Sequence, residues 1–99
     1  MTENRYRLHG DVDTGTAPQV RLELRHAINS NGADLVIDCS ELTFIDSTGI
    51  AVLLEANRLL EVDGRTVLIV NVPPGPRRVF DALGLTDLLR FENDGMGGT

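Results

Sequence analysis

The sequence predicts a single α/β domain, a mixed β-sheet at least partly parallel and packed with helices. Three observations point there. A chain of 99 residues suits one domain and not two. Segments with the period of a strand alternate with segments with the period of a helix along its length. Two candidate strands, Ala33–Cys39 and Arg65–Val72, are apolar on consecutive residues, as strands covered on both faces are.

The first strand is signalled by the even spacing of Tyr6, Leu8 and Val12, with Gly10 marking a bulge or a strand end. Asp13-Thr14-Gly15 is a turn. Thr16–Asn29 reads as a helix: Thr16 and Gln19 have capping-box spacing, Pro18 falls in the tolerant first turn, and Val20, Leu24, Ala27 and Ile28 share a face. Ser30-Asn31-Gly32 stops it. Ala33–Cys39 is a buried strand, and Ser40–Ile45 reads as a loop. The next helix covers about Ser47–Asp63, and its apolar residues from Ile50 to Val62 spread over more than one stripe. Such a helix is largely buried or meets a partner. Gly64 ends it, and Arg65–Val72 is the following strand. Pro73-Pro74-Gly75-Pro76 breaks the chain before a short helix, Arg77–Leu83, closed by Gly84. Leu85–Leu89 is a turn and Arg90-Phe91-Glu92 a last edge strand. The domain is thus expected over 1–92, with 93–99 a flexible tail.

Composition narrows the function. The formal net charge is −6, and all nine basic residues are Arg. That balance argues against non-specific nucleic-acid binding and against an anionic membrane face. Met1–Arg7 is polar and has no apolar core of a secretion signal, and no apolar run reaches the roughly 20 residues of a membrane span. The single cysteine, Cys39, lies in an apolar run and reads as a buried, inert thiol. A reducing, cytoplasmic setting fits.

No enzyme motif emerges. Ser47 is not in a G-x-S-x-G elbow, and Asp46-Ser47-Thr48-Gly49 places its glycine one residue too late for an aspartic protease. His9 and His26 lack metal-pair spacing and read as surface residues. Pro74-Gly75-Pro76 lacks the glycine spacing and lysine of a phosphate loop. Neither a metal nor a cofactor is expected. The informative stretch is 44-FIDSTGIAVLL-54. Asp and Ser are both favoured helix caps, but one helix needs one cap. If Asp46 takes the first-turn N–H groups, Ser47 becomes the first helical residue with its hydroxyl unengaged. A phosphate there would sit at the positive end of the helix dipole, stabilised by about 0.3–1 kcal/mol.

With 8-LHGDVDTGTAP-18, 35-LVIDCSELTFIDSTGIAVLL-54, 64-GRTVLIVNVPPGPRRVFDALGL-85 and 90-RFE-92 in this order, the chain resembles the STAS domain, and within it the bacterial anti-sigma factor antagonists. The D-S-T/S-G element is the most specific match and R-R-V-F-D-x-x-G-L the second. The resemblance implies a non-enzymatic protein that binds an anti-sigma factor, itself a serine kinase of the GHKL type, and so releases a sigma factor. The kinase then phosphorylates the motif serine, here Ser47, with Thr48 a lesser candidate. A PP2C-type phosphatase reverses the step. Asp13, Asp46, Ser47, Thr48 and Gly49 are the implied partner-binding residues. The family's usual strand before the first matched segment and its helix after the last are short or missing in this sequence. Both ends are therefore minimal, and a homodimer is one way to cover the edge. Rival readings are a STAS subunit of a stress-sensing complex, a lipid-transport accessory protein, and a small-ligand or nucleotide-binding module.

Overall fold

The computed structural model describes residues 4–30, 32–85 and 88–92. The elements are β1 (Asn4–Val12), α1 (Ala17–Ser30), β2 (Leu35–Ile45), α2 (Ser47–Val62), β3 (Val67–Val70), α3 (Pro74–Ala82) and β4 (Arg90–Glu92). The strands pair in chain order, β1-β2-β3-β4, and every pairing is parallel. The α/β alternation is as expected, but the described sheet is parallel throughout rather than mixed. Right-handed crossovers that all step in one direction place their helices on one face. The main core has that arrangement: Leu24 and Ile28 of α1, Val52, Leu53, Ala56 and Leu60 of α2, and Phe80 of α3 pack with Leu35, Ile37 and Ile69 of the sheet.

The opposite face of the central strands is also buried. Val36, Asp38 and Val70 lie there, so Leu35–Cys39 is buried residue after residue. Asp38 is the buried carboxylate of the described chain, and it is partnered. It accepts from the Ser40 amide at 3.0 Å, Asn71 Nδ2 at 3.3 Å and Arg5 Nη1 at 3.5 Å. Burial alone would raise its pKa; the Ser40 amide and hydroxyl, Asn71 and the Arg7 charge outweigh that and hold it below the usual range. Asn71 itself adopts φ 60°, a left-handed conformation that Asn tolerates, and its amide closes onto Glu92 O at 3.1 Å. Cys39 is buried, and its thiol is pushed up to about 12 by burial and by the Asp38 charge.

The structure departs from the sequence reading in several places: the strand expected from Ala33 starts at Leu35, and the one expected over Arg65–Val72 is shorter, Val67–Val70. Ser40–Ile45 is not a loop: it continues β2 beside β1 as far as the pair Val12 and Ile45. Ser40, Glu41 and Thr43 hide this half, because polar residues break the apolar run there. The register shifts between Arg7 and His9 and between Gly10 and Asp11, and Gly10 has φ +69° at the second shift, where a bulge was expected. The proline cluster does not break the chain but starts α3, with Pro73 as its cap and Pro74 and Pro76 in the first turn, where no N–H partner is needed. The capping box of α1 does not form. Thr16 Oγ1 instead accepts from Asp13 N at 2.9 Å and donates to Asp11 O at 2.8 Å, while Gln19 bonds Glu23. The expected tail 93–99, and parts of the stop at 30–32 and of the turn at 85–89, lie outside the described residues.

The rest of the packing follows the patterning. Glu55 of α2 binds Arg21 Nε at 2.8 Å and Arg25 Nη2 at 3.0 Å, tying α2 to α1. Phe80 meets Phe91 edge-on at 5.1 Å, and the Arg77 guanidinium lies 4.9 Å from the Phe91 ring, fixing α3 to β4.

Candidate functional site

The site is the start of α2 and the chain ends that support it. Asp46 is extended (φ −114°, ψ −172°) and caps the helix: its Oδ1 accepts from Thr48 N at 2.9 Å and from Gly49 N at 3.2 Å. Its own amide donates to Val12 O at 3.2 Å, which joins the start of α2 to the end of β1. With the cap taken, Ser47 is the first residue of α2, exposed, and its hydroxyl makes no hydrogen bond among the described residues. This is the arrangement expected if only one of the two residues caps.

Asp13 lies in the adjacent β1–α1 turn and organises it. Its Oδ1 accepts from Gly15 N at 3.0 Å and Thr16 N at 3.2 Å, and its carbonyl accepts from Ala17 N at 2.7 Å. Asp13 is thus half-buried structure at the rim of the site. The turn presents Thr14, whose hydroxyl lies 3.4 Å from that of Thr48. Thr48 is half-buried and engaged by that contact, whereas Ser47 is open. The turn and the helix start are thus neighbours, although 34 residues separate Thr14 from Thr48. No spacing rule reveals such a contact, and the sequence reading did not single out Thr14.

Gly49 does not reach the surface. A Cβ on it would lie 2.7 Å from Ile45 Cγ1 and 2.8 Å from both Val12 Cγ1 and Val12 O. It is buried, and the missing side chain lets α2 seat against the ends of β1 and β2. Phe44, also not singled out, is 48% exposed at the end of β2. Among the described residues no cluster of His, Cys, Asp and Glu could hold a metal ion, and no helix is long and apolar enough to cross a membrane.

A one-faced parallel α/β layer with a capped, serine-led helix start defines the class: the chain belongs to the STAS domain family, whose model matches residues 4–94. Among the individual proteins it is similar to, the anti-sigma-B factor antagonist of Bacillus subtilis (strain 168) is 29% identical over 89 residues, 90% of this chain and 81% of that protein. The solved anti-sigma factor antagonist SpoIIAA in its unphosphorylated form superposes with a TM-score of 0.76 at 26% identity, covering 95% of this chain and 85% of that one. SpoIIAA of Bacillus in its phosphorylated form gives 0.67 at 27% identity, covering 94% and 86%.

Proposed function

We propose that this chain is an anti-sigma factor antagonist switched by phosphorylation of Ser47. One observation carries the reading: Asp46 takes the first-turn amides, leaving an exposed, unbonded hydroxyl at the first position of α2. The names of the relatives support it, as does the existence of SpoIIAA in both unphosphorylated and phosphorylated forms. The partner is an anti-sigma factor that is also a GHKL-type serine kinase, and the setting is the cytoplasm. The chain is substrate and ligand, not enzyme. The kinase supplies ATP, Mg²⁺ and the base. Ser47 Oγ attacks the γ-phosphorus, the bond to the ADP oxygen breaks, and the hydroxyl proton passes to the kinase.

Before the transfer, Ser47 and its surroundings form the contact. Afterwards nearly two negative charges stand in it. Desolvating them against a surface shaped for a hydroxyl costs a few kcal/mol. Each 1.4 kcal/mol is about tenfold in affinity, so a weakening of a hundredfold or more follows. Within the chain the phosphate is tolerated, because it meets the positive end of α2. A PP2C-type phosphatase returns the hydroxyl. Thr48 is the lesser acceptor, being half-buried and held near Thr14.

The test is incubation with a GHKL-type kinase from the source genome and ATP, followed by mass spectrometry. One phosphate on Ser47 is expected. Ser47→Ala should bind the kinase persistently, and Ser47→Asp should bind weakly. Phosphate elsewhere, or a Ser47→Asp variant that binds as tightly as wild type, would refute the switch.

A further inference from the structure

Large apolar side chains exposed among the described residues are Leu22, Leu59, Val62, Leu83, Leu88 and Phe44. The leucines and the valine lie on α1 and α2 or follow α3; Phe44 alone is aromatic and alone belongs to a strand. A single exposed apolar residue is ordinary. The way Phe44 comes to be exposed is not. In a regular strand Leu42 and Phe44 would share a face, and Ile45 would take the other. Instead Leu42 and Ile45 are both in the core, 2% and 1% exposed, with Phe44 turned out. The register explains it: Gly10 pairs with Leu42 and Asp11 with Phe44, so β2 carries one extra residue, Thr43, against β1. Thr43 Oγ1 pins this bulge by donating to Asp11 Oδ1 at 2.7 Å. Bulges re-aim side chains next to functional sites.

The ring so exposed stands three residues before Ser47, which puts their Cα atoms within about 10 Å along even an extended chain. Its backbone is rigid. Phe44 and Ile45 are paired to Asp11 and Val12, and Asp46 N is bonded to Val12 O. An aromatic side chain on a hydrogen-bonded backbone beside a reacting group has the character of an interface anchor, because little backbone freedom is left to lose on burial.

We propose that Phe44 is the apolar anchor of the kinase contact, a specificity-determining residue that enters a hydrophobic pocket on the anti-sigma kinase and brings Ser47 to its active site. This rests on the function proposed above. It divides the labour: Phe44 supplies affinity that persists whatever the state of Ser47, and the phosphate supplies the repulsion.

The experiment measures Phe44→Ala and Phe44→Leu against purified GHKL-type serine kinases of the source genome. Affinity is read in the Ser47→Ala background and steady-state phosphorylation in the Ser47 background. Phe44→Ala should weaken binding tenfold or more, about 1.4 kcal/mol. KM should rise by a similar factor while kcat stays within twofold, and Phe44→Leu should recover part of the loss. Weakening below tenfold, or a loss confined to kcat, overturns the proposal. Melting curves accompany each variant, with Phe44→Gln replacing Phe44→Ala if the latter fails to fold; collapse of both makes the ring a packing residue and overturns it too. If wild type binds but Ser47 is not phosphorylated, the switch fails, and the affinity comparison still decides Phe44. If no kinase binds, both readings fall.

Discussion

Replacing Gly49 with alanine adds one methyl group where the structure leaves no room for it. The new carbon would stand 2.7 Å from Ile45 Cγ1, 2.8 Å from Val12 Cγ1 and 2.8 Å from Val12 O. The side-chain carbons can shift by changing rotamer, at some cost to the core they fill. The carbonyl cannot shift freely, because it is the acceptor for Asp46 N at 3.2 Å. Moving it loosens the joint between β1 and α2. Overpacking of this kind costs about 1–3 kcal/mol. Alanine returns up to about 1 kcal/mol through its better helix propensity, less in a first turn. The net expectation is a loss of about 1–2 kcal/mol, which for a domain of this length lowers Tm by roughly 5–15 °C. Urea unfolding followed by circular dichroism should show a lower midpoint with an unchanged m-value. A Gly49→Ala protein as stable as wild type, or more stable as propensity alone would make it, refutes the reasoning. Unchanged stability with lost phosphorylation would return Gly49 to the partner surface.

Asp46→Ala should cost about 1 kcal/mol, the worth of a cap, and Ser47→Ala and Ser47→Asp should each move stability by no more than that; thermal melts check all three, and a Ser47 variant that loses more than Asp46→Ala counts against Asp46 as the cap. Asp38 has a depressed folded pKa, so its contribution is present above the unfolded value of about 3.9 and is lost as pH falls through the folded one; Asp38→Asn should flatten the acid limb of the stability profile below about pH 4, and an unchanged limb counts against the role given to its network. Cys39, its thiol pushed up to about 12, should resist an aromatic disulfide reagent in the native state and react fully after unfolding in urea; rapid native labelling would contradict its burial. Glu55→Gln should cost no more than about 1 kcal/mol by loosening Arg21 and Arg25 at the surface, measured by the same urea titration.

The alternation of elements, a buried strand over Ala33–Cys39 (observed from Leu35) and the start of α2 at Ser47 could all be read from the chain, because each rests on local chemistry. A cap and its acceptor neighbour occupy consecutive residues, and apolar runs advertise burial. What escaped reading depends on residues distant in sequence. The second half of β2 is held by its ladder to β1, not by its own composition, so Ser40, Glu41 and Thr43 masked it. Parallel direction throughout is a property of pairing, which no single segment states. The inward aim of Gly49 depends on Val12, and the place of Thr14 depends on Thr48. The partnering of Asp38 was not legible either, because Arg5 and Asn71 lie 33 residues away on each side of it.

The order β1-β2-β3-β4 has a consequence for the chain during its synthesis. Every strand lies beside the one made just before it, so no strand waits for a distant partner to be translated. Once Ile45 has cleared the ribosome, the β1–β2 pair with α1 above it has all its residues, and each later helix and strand adds to a waiting edge. Folding units that close over short loops form sooner than those that close over long ones. The domain is therefore expected to grow outward from β1 on the ribosome. Ribosome-stalled chains of increasing length should gain protease resistance in steps at the ends of β2 and β3, and resistance that appears only after β4 has emerged would show that the layers assemble together instead.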